Sequence, residues 1–223
     1  MSWESSVLYY RLINQETQRR LGGHHNARSV MVTVDFAAVE RMQHRGEWNA
    51  LGLLMADTAR QIERAGADFI ILCTNTTHKV AGAIESAARI PFLHIADATA
   101  GAVLQAGEKR VGLLGTKFTM EQTFIRERLE CRGIEVLIPG GPAREVIHKV
   151  IYGELVCGIV RPESRAQYQE IIAELASRGA ESVILGCTEI GLLIQPGDSP
   201  VPLHDTTAIH ALAAVDWALT PHP

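Results

Sequence analysis

Gly66-Ala67-Asp68-Phe69-Ile70-Ile71-Leu72-Cys73-Thr74-Asn75-Thr76 and Gly179-Ala180-Glu181-Ser182-Val183-Ile184-Leu185-Gly186-Cys187-Thr188-Glu189 carry one pattern twice, 113 residues apart. Each copy opens on Gly-Ala-acid, runs through an apolar stretch and closes on small polar residues. An unbroken apolar run of this length suits a strand covered on both faces, as in a parallel sheet. A second match, Asp97-Ala98-Thr99 with Asp205-Thr206-Thr207, follows at an offset of 108. Repeats of this kind make two similar lobes the natural reading. The register sets Thr74 opposite Cys187 and Cys73 opposite Gly186.

Working outward, strand and helix signals alternate. Leu51, Leu54, Met55 and Ile62 share one face of a helix over Trp48–Ala65. Further helices are expected over 81–89, 96–106, 120–132, 143–152, 162–178 and 206–219, and strands over 30–34, 69–72, 91–95, 110–114, 134–138 and 182–185. Such alternation predicts an α/β fold with parallel sheets flanked by helices and right-handed crossovers. The expected lobes are 1–98 plus 206–223, and 99–205, related by a pseudo-twofold axis. The strand Lys109–Thr116 has no counterpart in the first half, where it would lie just before Met1. The first lobe is therefore expected to lack its first central strand.

Composition narrows the function. With 223 residues, 47% hydrophobic and 21% charged, the chain is long enough for one large or two small cores and too apolar for disorder. Its net charge is −4, aromatics are 5%, and no basic stripe is present, which argues against nucleic acid and membrane surfaces as partners. Cysteines at 73, 131, 157 and 187 form no CxxC pair. With no signal peptide and no apolar run near 20 residues, free thiols in a cytoplasm are expected.

In open parallel sheets, ligands bind beyond the carboxyl ends of strands. Those ends carry Thr74-Asn75-Thr76-Thr77, Thr116-Lys117-Phe118-Thr119 and Cys187-Thr188-Glu189, a lining of hydroxyls, an amide and a thiol suited to a carboxylate. No nucleotide-binding glycine motif occurs. Cys187 reads as a thiol at a helix N-terminus, where the dipole draws the pKa from about 8.5 toward neutrality. Glu189 reads as a first-turn partner of that dipole. Asp97 and Asp205 read as backbone-bonding residues, and His78, His94, His204 and His210 show no metal-ligand spacing.

These motifs resemble the aspartate/glutamate racemase family, and within it the enterobacterial broad-specificity amino-acid racemases. Ile71–Thr76, Leu113–Met120 and Leu185–Leu192 carry the resemblance, with Met1–Ser5, Tyr9–Asn14, His94–Thr99 and Asp205–His210. It implies two α/β lobes with the active site between them, no cofactor, no metal, a small amino-acid substrate and a homodimer. It implies catalysis at Cα by groups on its two faces, here Cys187 and Thr74. It assigns substrate binding to Asn75, Thr76, Thr119 and Thr188, with Met1 and Ser2 in a turn at the site's edge. The family's first catalytic position is usually Cys, and here it is Thr74. Cys73 sits one residue early, and along a strand that shift points it to the other face. The other readings are a decarboxylase or cis–trans isomerase of small diacids, which could use one thiol, and a binder that has lost one base.

Overall fold

The computed structural model describes residues 2–220 and divides into two units. The first comprises Met1–Cys73, Thr77–His94 and Ala211–Pro223. Its elements are α1 (Trp3–Leu21), α2 (Phe36–Arg45), α3 (Trp48–Arg64), β1 (Ile70–Ile71), α4 (Ala81–Ala87) and β2 (Phe92–Leu93). Asp35 caps α2 by accepting from the Ala37 N–H at 3.2 Å. Leu51, Met55 and Ala59 recur every four residues along α3, and bury that stripe against Val39, Ile70 and Ile84. β1 and β2 pair in parallel, Ile70 with Phe92 and Ile71 with Leu93.

Val30–Val34, expected as a strand, is not one: residues 25–35 form neither helix nor strand, and Val30 and Met31 stand 43% and 52% exposed. The reason is pairing. A β-branched run becomes a strand only with a ladder and a packed face, and among the described residues β1 pairs with β2 alone.

The second unit comprises Thr74–Thr76 and Ile95–His210, so the first strand-end cluster is part of it. It holds α5 (Ile95–Gln105), β3 (Arg110–Gly115), α6 (Lys117–Glu121), α7 (Thr123–Glu130), β4 (Glu135–Leu137), α8 (Gly141–Gly153), α9 (Pro162–Ser177), β5 (Ser182–Gly186), α10 (Ile190–Leu193) and β6 (Leu203–Asp205). α11 (Thr206–Leu219) starts here, and its residues from Ala211 on belong to the first unit. The helix expected over 120–132 is broken at Gln122, whose extended backbone separates α6 from α7.

The sheet is parallel throughout, in the order β4-β3-β5-β6. Side chains alternate across it. Leu114, Val183 and Leu185 join Ile147, Ile151, Tyr168, Ile172 and Leu175 in one core. Val111, Leu113 and Ile184 join Ile95, Val103, Ile125 and Leu129 in the other. Burial on both faces explains why β3 and β5 read as unbroken apolar runs. A Cβ at Gly112 would lie 2.9 Å from Leu175 Cδ1, so the glycine lets α9 approach the sheet closely.

The two units should differ in amide protection. In hydrogen–deuterium exchange, Val111–Gly115 and Val183–Gly186 should be protected more than Val30–Val34 by roughly a thousandfold or more. Comparable protection of Val30–Val34 would place that segment in a ladder.

Candidate active site

Two glycines shape the carboxyl end of the sheet. Gly115 of β3 lies beside Gly186 of β5 in the ladder. A Cβ on Gly115 would fall 2.8 Å from the Gly186 carbonyl oxygen and 3.0 Å from Thr119 Cβ. A Cβ on Gly186 would fall 2.7 Å from the Leu114 carbonyl oxygen and 3.3 Å from Thr119 Cγ2. Thr119 therefore rests on bare backbone. Thr116 caps α6, its hydroxyl accepting from the Thr119 N–H at 3.3 Å.

The buried hydroxyls of Thr76, Thr116 and Thr119 close a triangle: 2.9 Å from Thr76 to Thr116, 3.2 Å from Thr116 to Thr119, and 3.4 Å from Thr76 to Thr119. Each hydroxyl has one hydrogen and two lone pairs. The hydrogens can turn among one another or outward to an anion. Beside this triangle, the Asn75 side chain donates to Thr206 Oγ1 at 3.0 Å, and Thr206 donates to the Leu185 carbonyl at 2.8 Å. Two bonded chains thus stitch Asn75 and Thr76 to the ends of β3 and β5. Thr74, half-buried, immediately precedes them.

Cys187 follows β5 directly and is 8% exposed. Its Sγ donates to Glu189 Oε2 at 3.1 Å, and the Thr188 hydroxyl donates to the same oxygen at 2.7 Å. Burial first, and the Glu189 carboxylate second, push the Cys187 thiol well above the ordinary range. The expected dipole-lowered thiol is therefore corrected. α10 has only four residues, so its dipole is small. The carboxylate faces the sulfur at contact distance, and it is a partner of the thiol as well as a residue of the turn. Burial also lifts the Cys73 thiol, to about 11.

The remaining expected residues fall as follows. Ser2 is buried in the first unit and caps α1, accepting from the Ser5 N–H at 3.1 Å. Its hydroxyl lies 2.9 Å from that of Ser5. This repeats the Thr116–Thr119 cap at an offset of 114, an extension of the internal repeat that sequence reading missed. Met1 lies outside the described residues. Asp205 caps α11 through the Thr207 and Ala208 N–H groups, at 2.8 and 3.4 Å. Asp97 pairs with Arg128 at 2.7 Å. Lys117 pairs with Glu145 at the surface. His78 and His94 are buried in the first unit, ring centroids 4.4 Å apart. His204 meets Glu108 at 2.6 Å. Thr206 was not expected in the site, and Thr116 and Glu189, though placed at the strand ends, were given no binding or catalytic role. The Thr-x-x-Thr spacing carried the signal for Thr116, while the other two depend on side-chain direction.

The chain matches the Asp/Glu/Hydantoin racemase family over residues 1–214. It belongs to that family. A broad specificity amino-acid racemase of Bacillus subtilis, RacX, is 29% identical over 171 residues, 73% of this chain and 70% of the relative. A Yersinia pestis crystal structure assigned to the Asp/Glu racemases is 48% identical, with a TM-score of 0.92 over 99% of this chain and 96% of the other. An aspartate racemase homologue from Pyrococcus horikoshii is 30% identical, with a TM-score of 0.84 over 97% and 95%. As a racemase-family fold, the chain has parallel sheets flanked by helices. Among the described residues no helix is long and apolar enough to cross a membrane.

The glycine pair is open to test. Gly186→Ala should destabilise the protein by about 1–3 kcal/mol, the range for forcing an added methyl into a packed position. A urea midpoint identical to that of the native protein would contradict the close approach of the Leu114 carbonyl to Gly186.

Proposed function

We propose that this protein is a cofactor-independent amino-acid racemase that acts on aspartate, glutamate or a broader set. The observation that carries the reading is one buried thiol, Cys187, in the same unit as the buried donors Asn75, Thr76, Thr116 and Thr119. Family membership supports the same chemistry. The α-carboxylate is held by Asn75, Thr76 and Thr119, with Thr188 beside the thiol. Thr116 keeps the hydroxyls of its neighbours oriented. Hydrogen bonds to that carboxylate stabilise the negative charge that spreads onto it as the Cα–H bond breaks.

Once the Cys187 thiol has given up its own proton, its sulfur takes the Cα proton, and the electron pair stays on Cα and its carboxylate. Thr74 returns a proton to the opposite face, from its own hydroxyl or through a water. Threonine is a poor base near neutral pH, so the two directions are unequal. The enantiomer whose Cα–H faces Cys187 loses it readily, and its mirror image inverts slowly. The free cysteines at 131 and 157 are exposed, which favours a reducing cytoplasm. The exposed stripe Trp3, Val7 and Tyr10 on α1 favours a homodimer.

The test is Cα hydrogen exchange in heavy water for both enantiomers of aspartate and glutamate, followed by NMR beside chiral analysis. One enantiomer should exchange faster than it inverts. Cys187→Ser should lower exchange by on the order of 10³-fold, about 4 kcal/mol of barrier. Thr74→Cys should raise turnover of the slow enantiomer. Equal rates from both enantiomers, or undiminished exchange in Cys187→Ser, would contradict the reading. Carbon dioxide release from a malonate without Cα exchange would favour the single-thiol decarboxylase instead, a reaction that Thr74 permits.

A further inference from the structure

We propose that Glu189 is the proton acceptor for the Cys187 thiol, so that the base acting at Cα is a Cys187–Glu189 pair sharing one proton. This rests on the reading of Cys187 as the group that works at Cα. The geometry points to it in three ways. Glu189 is 5% exposed, and a carboxylate is costly to bury without strong partners. Its Oε2 takes both the Cys187 thiol at 3.1 Å and the Thr188 hydroxyl at 2.7 Å, so the oxygen is held at the sulfur from two sides. A thiolate at rest would place two anions at contact distance inside the protein, which burial forbids. The pair therefore carries one proton and one negative charge together.

The proton needs no new path. In the reactive form the S–H bond breaks and an O–H bond forms on Glu189 Oε2, along the hydrogen bond already present. No net charge enters the buried site. The thiolate then takes the Cα proton and becomes a thiol again. Glu189 afterwards releases its proton to solvent, which balances the proton drawn through Thr74 for the other face. Among the described residues, two other titratable groups face this turn. Tyr168, from α9, is held protonated by burial, and a charge on Cys187 would oppose its ionisation further. Asp205, at the end of β6, is held by the Thr207 and Ala208 N–H groups and lies beside Gly191. Neither offers the thiol a hydrogen bond, whereas Glu189 does. Glu189 is thus a positioning and proton-accepting residue that acts through Cys187.

Two readouts separate this role from a structural one. In Glu189→Gln the thiol must give its proton to solvent. Cα exchange should fall roughly 10²–10³-fold at pH 7, mostly in kcat, and its logarithm should rise with unit slope over about pH 6–8. The native rate should be flat over that range. Iodoacetamide alkylation of Cys187 draws on the same thiolate, so in Glu189→Gln it should fall together with exchange and take on the same unit slope. A structural defect would slow exchange while leaving both pH profiles flat. Glu189→Asp should restore a flat profile with partial activity. Unchanged exchange in Glu189→Gln, or a native profile that itself has unit slope, would overturn the proposal while leaving the racemase reading intact. If Glu189→Gln does not fold, the native profile and Glu189→Asp decide alone. Loss of the racemase reading would show separately, as exchange that persists in Cys187→Ser.

Discussion

The side-by-side placement of Gly115 and Gly186 is the constraint on which the site depends. Neighbouring strands that both end without a side chain leave a patch of bare backbone at the carboxyl end of the sheet. Thr119 sits on that patch, within 3.0 Å of where the Gly115 methyl would be. From there its hydroxyl reaches Thr116 and Thr76. The chain after Gly186 turns at once into Cys187-Thr188-Glu189, so the same close approach brings a thiol to the same end of the sheet. The carboxyl end of a parallel sheet is where ligand chemistry is expected.

The electrostatics of that end follow from burial. Neutral hydroxyls and an amide can be buried cheaply when they bond to one another, as Asn75, Thr206, Thr76 and Thr116 do. They can also re-aim their hydrogens at a carboxylate without bringing positive charge into the core. The thiol is different. Burial and Glu189 both hold it protonated, so its reactive form has to be made at the moment of use. On the proposed racemase reading, this joins two requirements that otherwise pull apart, a base that has to be ionised to act and surroundings that oppose ionisation.

Much of this was legible in the residues. The α/β class and the doubled Gly-Ala-acid pattern follow from strands buried on both faces, whose unbroken apolar runs stand out. Cys187, Asn75, Thr76 and Thr119 stood out as candidates because they lie at or just beyond the carboxyl ends of those runs. Val30–Val34 misled because propensity describes a single segment, whereas a strand is a property of a pair. β6 was too short to show a pattern, with three residues. Glu189 was visible as a residue but not as a partner, because its reach back to a sulfur two positions earlier is a matter of rotamer. Thr206 supports Asn75 across 131 residues of sequence, a contact that no local reading contains.

The central claim is that the end of the second unit's sheet holds an amino acid by its α-carboxylate with Cα against Cys187. The most direct measurement is a crystal structure of the Cys187→Ser protein with aspartate or glutamate bound. The account expects the α-carboxylate within hydrogen-bonding distance of Asn75, Thr76 and Thr119, and Cα within about 3.5 Å of the residue 187 hydroxyl, the separation of a near-attack geometry. A ligand bound away from these residues, or one whose Cα is turned from position 187, would contradict it.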